Sequence, residues 1–86
     1  MMRKLKLGIA GFHEQSNSYI SLIKDGMIEG VEVGAVYDPD PYKRKQVKSL
    51  YPEIPFYTDY VEMLESGEVE AVVSYLPQYN NQINQY

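Results

Sequence analysis

With 86 residues, and 12 acidic against 8 basic side chains, the chain has room for one small domain and carries a formal net charge of -4. A composition of 44% hydrophobic and 23% charged residues excludes a disordered or fibrous protein. A chain of this length buries only about 60% of the surface its unfolded form exposes, so a large cofactor cleft would take up much of its core.

The lack of cysteine excludes disulfides, thiolate nucleophiles and cysteine zinc sites, and it fits a reducing compartment, so the cytoplasm is the expected location. No apolar run approaches the roughly 20 residues of a membrane helix. The acidic balance argues against nucleic acid, because the one dense cationic run, Lys43-Arg44-Lys45 with Lys48, falls in a predicted helix with little aromatic interleaving.

Strand-like and helix-like periodicities alternate along the chain. Leu5, Leu7 and Ile9 alternate with Lys6 and Gly8, predicting a first strand that stops at Gly11. From Asn17 the spacing changes to three and four, putting Ile20, Ile23 and Met27 on one helical face, with Gly26 and Gly30 at its end. Val31, Val33, Ala35 and Tyr37 predict a second strand, halted by Asp38-Pro39-Asp40-Pro41.

Asp40 is placed to cap the next helix, with Pro41 at the position where a missing N–H costs nothing and Val47, Leu50 and Tyr51 as the buried stripe. Phe56-Tyr57 reads as a short third strand. Thr58 or Asp59 should cap a helix whose Tyr60, Val61, Met63 and Leu64 face inward, and Gly67 should close it. Val69 to Leu76 holds Ala71-Val72-Val73, an apolar run expected to be covered on both faces, before Pro77 breaks it.

The order β-α-β-α-β-α-β with short connections predicts an α/β Rossmann-like three-layer half-fold, its four-stranded parallel sheet ordered 3-2-1-4. Residues 1–77 form that unit. Residues 78–86 are amide-rich and read as a polar tail or the start of a crossover helix, with Ile83 as the one aliphatic anchor.

Ligands of such sheets bind beyond the carboxyl ends of the strands. The loop after strand one, Gly11-Phe12-His13-Glu14-Gln15-Ser16, keeps only the first glycine of the dinucleotide fingerprint. His13 puts a ring where a phosphate would approach the backbone, and Ser16 enlarges the third glycine position. Asp38 lies 22 residues past Ser16, close to the roughly 20-residue offset of the acidic group that accepts the ribose hydroxyls of NAD. With no arginine directly beside it, Asp38 would repel the extra phosphate of NADP, although Asp-Pro-Asp-Pro is equally good turn chemistry.

His13, the one histidine, lacks carboxylate or cysteine companions for a metal site or a triad and reads as an exposed loop side chain. The pair Asp38 and Asp40 is explained by capping before metal binding. No residue is assigned a catalytic or metal-binding role. A flavodoxin-like or receiver domain is the alternative fold, but a receiver needs acidic groups where this chain has Gly11 and Phe12.

Several segments in register, Leu5 with Gly8-Ile9-Ala10-Gly11, Val36-Tyr37-Asp38-Pro39-Asp40-Pro41, Tyr57-Thr58-Asp59-Tyr60 with Met63-Leu64, and Val69 to Pro77, together resemble the glucose-fructose oxidoreductase and inositol dehydrogenase (Gfo/Idh/MocA) family. The match covers nearly the whole chain and falls on that family's amino-terminal dinucleotide domain. The resemblance implies an oxidoreductase of a sugar or polyol using NAD or NADP. Gly11, Phe12 and His13 would line the pyrophosphate, Asp38 the adenosine ribose, and Leu76-Pro77 the loop flanking the cofactor.

The family's Glu-Lys-Pro motif, whose lysine assists proton transfer, would lie beyond Tyr86, as would the substrate domain, so these 86 residues are expected to be truncated and not catalytically competent alone. The alternative is a non-catalytic Rossmann-like fragment or engineered module whose altered loop, with His13 and Ser16, no longer admits the cofactor. Strand four, left at the sheet edge, is expected to promote self-association.

Overall fold

A computed structural model describes residues 3–76. Its elements are β1 (Leu5–Ala10), α1 (Glu14–Lys24), β2 (Val31–Tyr37), α2 (Lys43–Leu50), β3 (Phe56–Tyr57), α3 (Tyr60–Glu65) and β4 (Ala71–Ser74). All three strand pairings are parallel and the sheet order is β3-β2-β1-β4, as the sequence predicts. The predicted break at Pro77 and the tail at 78–86 lie outside the described residues.

Register decides which side chains share a face. Ile9 stands opposite Val36 on one side and Val73 on the other, and Val36 stands opposite Phe56. Aligned residues of neighbouring strands point the same way. Ile9, Val36 and Phe56 therefore form one apolar surface, which closes against Ile20 of α1, Val47 of α2, Tyr51, Ile54 and Phe12. Tyr51 also fastens α1, its hydroxyl lying 2.5 Å from Asn17 Oδ1 and 3.0 Å from Ser21 Oγ. Lys24 pairs with Glu53 at the far end of the same seam.

The opposite face is built from small residues. Met63, the one buried side chain of α3, fits against Gly8, where an added Cβ would come within 3.1 Å of the methionine Cε. Tyr60 meets Tyr37 edge-on at 5.4 Å between ring centroids. α1 and α2 thus cover one face and α3 the other, giving the predicted three layers.

The expected uniform alternation of Val31, Val33, Ala35 and Tyr37 is corrected by a bulge. Leu7 pairs with Val33 but Gly8 with Ala35, so Gly34 is skipped and the following residues change face. That is why Val36 joins the main cluster. Gly34 has a second reason to lack a side chain, because a Cβ there would fall on the Glu68 carbonyl.

Other expectations about burial also need correction. Met27 is 72% exposed, because α1 ends at Lys24 and the turn at Gly26 carries Met27 away from the helical face. Leu50, Tyr60, Val61 and Leu64 are exposed as well, leaving Val47 and Met63 as the buried anchors of their helices. Ala71, Val72 and Val73 are half-buried rather than covered on both faces, because β4 lies at the sheet edge and the helices pack chiefly over β2 and β3. Asp59 caps α3 as expected, accepting the Val61 and Glu62 amides at 2.9 and 3.2 Å. The expected Asp40 cap of α2 is a correction: the helix begins at Lys43 with Tyr42 at its N-cap, and Asp40 instead accepts the Tyr42 amide at 2.9 Å in the turn that precedes it.

Candidate functional site

The three loops expected to carry function converge at the carboxyl ends of β1, β2 and β4. Gly11 ends β1 with φ of +97°, and its N–H donates to the Tyr37 carbonyl at 2.6 Å. A Cβ at this position would lie 3.0 Å from the Tyr75 carbonyl carbon and 3.1 Å from the Leu76 nitrogen. Glycine is therefore required both for the left-handed turn and for the close passage of the loop after β4.

Asp38 joins the first loop to the second. Its Oδ2 accepts the Phe12 N–H at 2.8 Å and its Oδ1 accepts the Asp40 N–H at 2.9 Å, in a residue only 7% exposed. The turn chemistry and the candidate ribose acceptor are thus one residue. An ionised carboxylate has about four lone-pair directions, so two amide donors leave acceptor capacity on each oxygen.

His13 joins the first loop to the third. It sits at the N-cap of α1 in extended conformation, with its N–H donating to Ser16 Oγ at 2.8 Å. Its Nε2 is 2.7 Å from the Tyr75 carbonyl oxygen, and its ring meets the Tyr75 ring edge-on with centroids 5.9 Å apart. A carbonyl can only accept, so Nε2 carries the hydrogen. Tyr19 flanks Tyr75 at 6.2 Å. Burial, with Tyr19 beside it, pushes the Tyr75 phenol up, so it stays neutral and packs as an aromatic.

Of the predicted site residues, Gly11, Asp38 and Leu76 meet at this end of the sheet. The Phe12 side chain is a correction: it is 3% exposed and belongs to the core, leaving its amide, already held by Asp38, as its contribution. His13 is not an exposed loop side chain but half-buried and hydrogen-bonded. α1 starts at Glu14 rather than Asn17, because Ser16 is a fully buried capping partner of His13. Pro77 lies outside the described residues.

Sequence reasoning missed Ser16 as a cap and Tyr75 as the partner of His13. The first was signalled by the three-residue spacing from His13 to Ser16 that a capping box needs. For the second, period-two spacing from Ala71 through Val73 places Tyr75 on the same strand face, but nothing in the sequence pairs it with His13.

Two concavities of about 530 Å³ lie on the described surface. One, lined by Arg3, Lys4, Ile23, Gly26, Ile28, Glu29 and Gly30, is at the amino ends of the strands. The other, lined by Glu14, Gln15, Ser18, Tyr19, Leu22 and Tyr75, borders the carboxyl end of β4. The first receives nothing from the loops after β1, β2 or β4, whereas parallel sheets bind ligands at the opposite end. The second shares Tyr75 with the convergent loops. With Asp38 holding two amides and His13 a carbonyl, the arrangement suits binding rather than proton transfer.

No family model and no curated protein matches the chain. Solved structures do match its fold. An NAD-binding protein from Listeria innocua superposes with a TM-score of 0.72 at 24% identity, covering 87% of this chain and 21% of its own. Scyllo-inositol dehydrogenase from Lactobacillus casei, with bound NAD(H) and scyllo-inositol, gives 0.72 at 19% identity over 87% of this chain and 22% of its own. The WlbA dehydrogenase from Bordetella pertussis, in complex with NADH and UDP-GlcNAcA, gives 0.73 at 21% identity over 96% of this chain and 27% of its own. The chain thus spans about a quarter of the length of these structures, and at such identities the likeness establishes a shared Rossmann-like fold.

Proposed function

We propose that this chain is the amino-terminal dinucleotide-binding unit of an NAD-dependent oxidoreductase of the Gfo/Idh/MocA type, acting in the cytoplasm on a sugar or polyol. The observation that carries this reading is the Asp38 carboxylate holding the Phe12 amide of the first loop, at the carboxyl end of a 3-2-1-4 parallel sheet. This is the topological switch point beside β1, where the strand order reverses and dinucleotides bind. The solved structures of like fold, two of them with bound NAD(H) or NADH, support the same ligand.

The residues present fit the cofactor unevenly. At the ribose end Asp38 keeps acceptor capacity for hydroxyls and presents negative charge to any 2′-phosphate. At the pyrophosphate end the His13 ring, tied to the Tyr75 carbonyl, stands where the fingerprint has a glycine. NAD would supply hydride acceptance when bound. The chain's own residues bind and orient: Gly11 allows the turn, Asp38 holds two loops in register, and Leu76 packs against Gly11. Proton transfer and substrate contacts are assigned to parts outside these 86 residues.

Calorimetric titration of the unaltered chain with NADH and NADPH tests the reading. Saturable binding that favours NADH by about tenfold or more is expected, since opposing a buried carboxylate with a phosphate costs more than about 1.4 kcal/mol. Equal affinities, or tighter NADPH binding, would contradict the assignment of Asp38.

A further inference from the structure

We infer that His13 is a latch, closing the crevice between the loop after β1 and the loop after β4 until a dinucleotide displaces it. The inference rests on the proposed cofactor reading and adds a regulatory element to that site. The loops are already in contact through Gly11, whose backbone passes against Tyr75 and Leu76. His13 adds a hydrogen bond of 2.7 Å to the Tyr75 carbonyl and an edge-on ring contact, so one side chain bridges the two strand ends across the switch point.

Its own backbone is held from the other side. The His13 N–H donates to Ser16 Oγ, and Ser16 is fully buried, so the ring is aimed by a rigid helix start rather than a loose loop. Backbone demand does not require histidine here, because φ of -154° and ψ of -165° are extended values open to any residue. The ring's distinctive contribution is the bridge. A dinucleotide entering the crevice displaces the ring from the Tyr75 carbonyl, and the two loops part as that hydrogen bond is given up. The population with the latch closed lowers the observed affinity by the fraction of molecules already open.

The test is titration of the full chain with NADH, comparing His13→Ala and His13→Gln with the unaltered protein, and amide exchange at Tyr75 followed in each. Tyr75 N–H donates to Ala10 at 2.6 Å, so its exchange reports how firmly the loop after β4 is held. H13A should bind NADH about fivefold tighter or more, the worth of one net hydrogen bond, and should exchange the Tyr75 amide faster. H13Q, which keeps an N–H donor, should stay near the unaltered protein in both readouts. If the unaltered chain binds NADH but H13A binds no tighter, the latch is overturned and the cofactor reading stands. If neither the unaltered chain nor H13A binds NADH, both fall together.

Discussion

At the scale of single residues, Asp38 and Gly11 carry the greatest structural demand. Removing the Asp38 carboxylate leaves the buried Phe12 amide and the partly buried Asp40 amide without their acceptor. Asp38→Ala should therefore lower unfolding free energy by about 2–4 kcal/mol, measured by urea denaturation. A loss below about 0.5 kcal/mol would mean that the two amides find other partners. Glu70 is a milder case. Its carboxylate accepts the Lys6 N–H at 2.9 Å and pairs with Arg3, and these contacts, the Lys6 amide first, hold its pKa below the ordinary glutamate value.

A lowered folded-state value stabilises the fold above the unfolded pKa and is lost as pH falls through the folded one. Stability should thus decline through the acid range below about pH 4.3, and Glu70→Gln should flatten that decline, read from thermal melts between pH 3 and about 6. An unchanged slope would show that Glu70 adds nothing to the linkage. Because Glu70 is solvent-exposed, the effect should be small.

Among the elements, α3 depends on very few contacts. It spans Tyr60–Glu65, buries Met63 and is capped by Asp59. Met63→Ala removes its anchor from the pocket over Gly8 and should cost about 2–5 kcal/mol, whereas Asp59→Ala should cost about 1 kcal/mol through the lost cap. Both are read from denaturation midpoints, and a Met63 cost no larger than the cap's would show that α3 is held elsewhere. This element also shows where sequence reading reached its limit. The cap was legible because an aspartate before a helix has one good use.

Burial on α3 was not legible, because apolar spacing names a face without saying how much of it a small sheet surface can cover. The space over Gly8 is filled by Met63 and Val69, and Val61 and Leu64 remain outside. The same limit explains Met27 and Leu50. The bulge at Gly34 was unreadable for another reason: a lone glycine in a strand can mark a bulge or a close approach, and here it is both.

For the whole molecule, strand order, parallel pairing and the three layers were readable, because the alternation of periodicities admits few topologies. The convergence of the loops after β1, β2 and β4 at one end of the sheet was readable for the same reason. The linkage of its loops through His13 and Tyr75 was not, since residues 62 apart in sequence meet only after the sheet has formed. The order β3-β2-β1-β4 leaves the outer edge of β4 unpaired within the described residues, with Ala71, Val72 and Val73 half-buried.

Such an edge offers a pairing template. Sedimentation velocity over a range of concentrations should show reversible self-association that Val72→Lys abolishes. A monomer at every concentration up to about 100 µM, which bounds the association to weaker than about 5.5 kcal/mol, would show the edge to be protected. Among the described residues no helix is long and apolar enough to cross a membrane.

The central claim places the ligand at the carboxyl ends of the strands, and backbone amide shifts on titration with NADH test it most directly. The account predicts saturable shifts at Gly11, Phe12, His13, Asp38, Tyr75 and Leu76, with Arg3, Lys4, Gly26 and Gly30 at the opposite end unmoved. Shifts concentrated at that opposite concavity, or none that saturate, would contradict it.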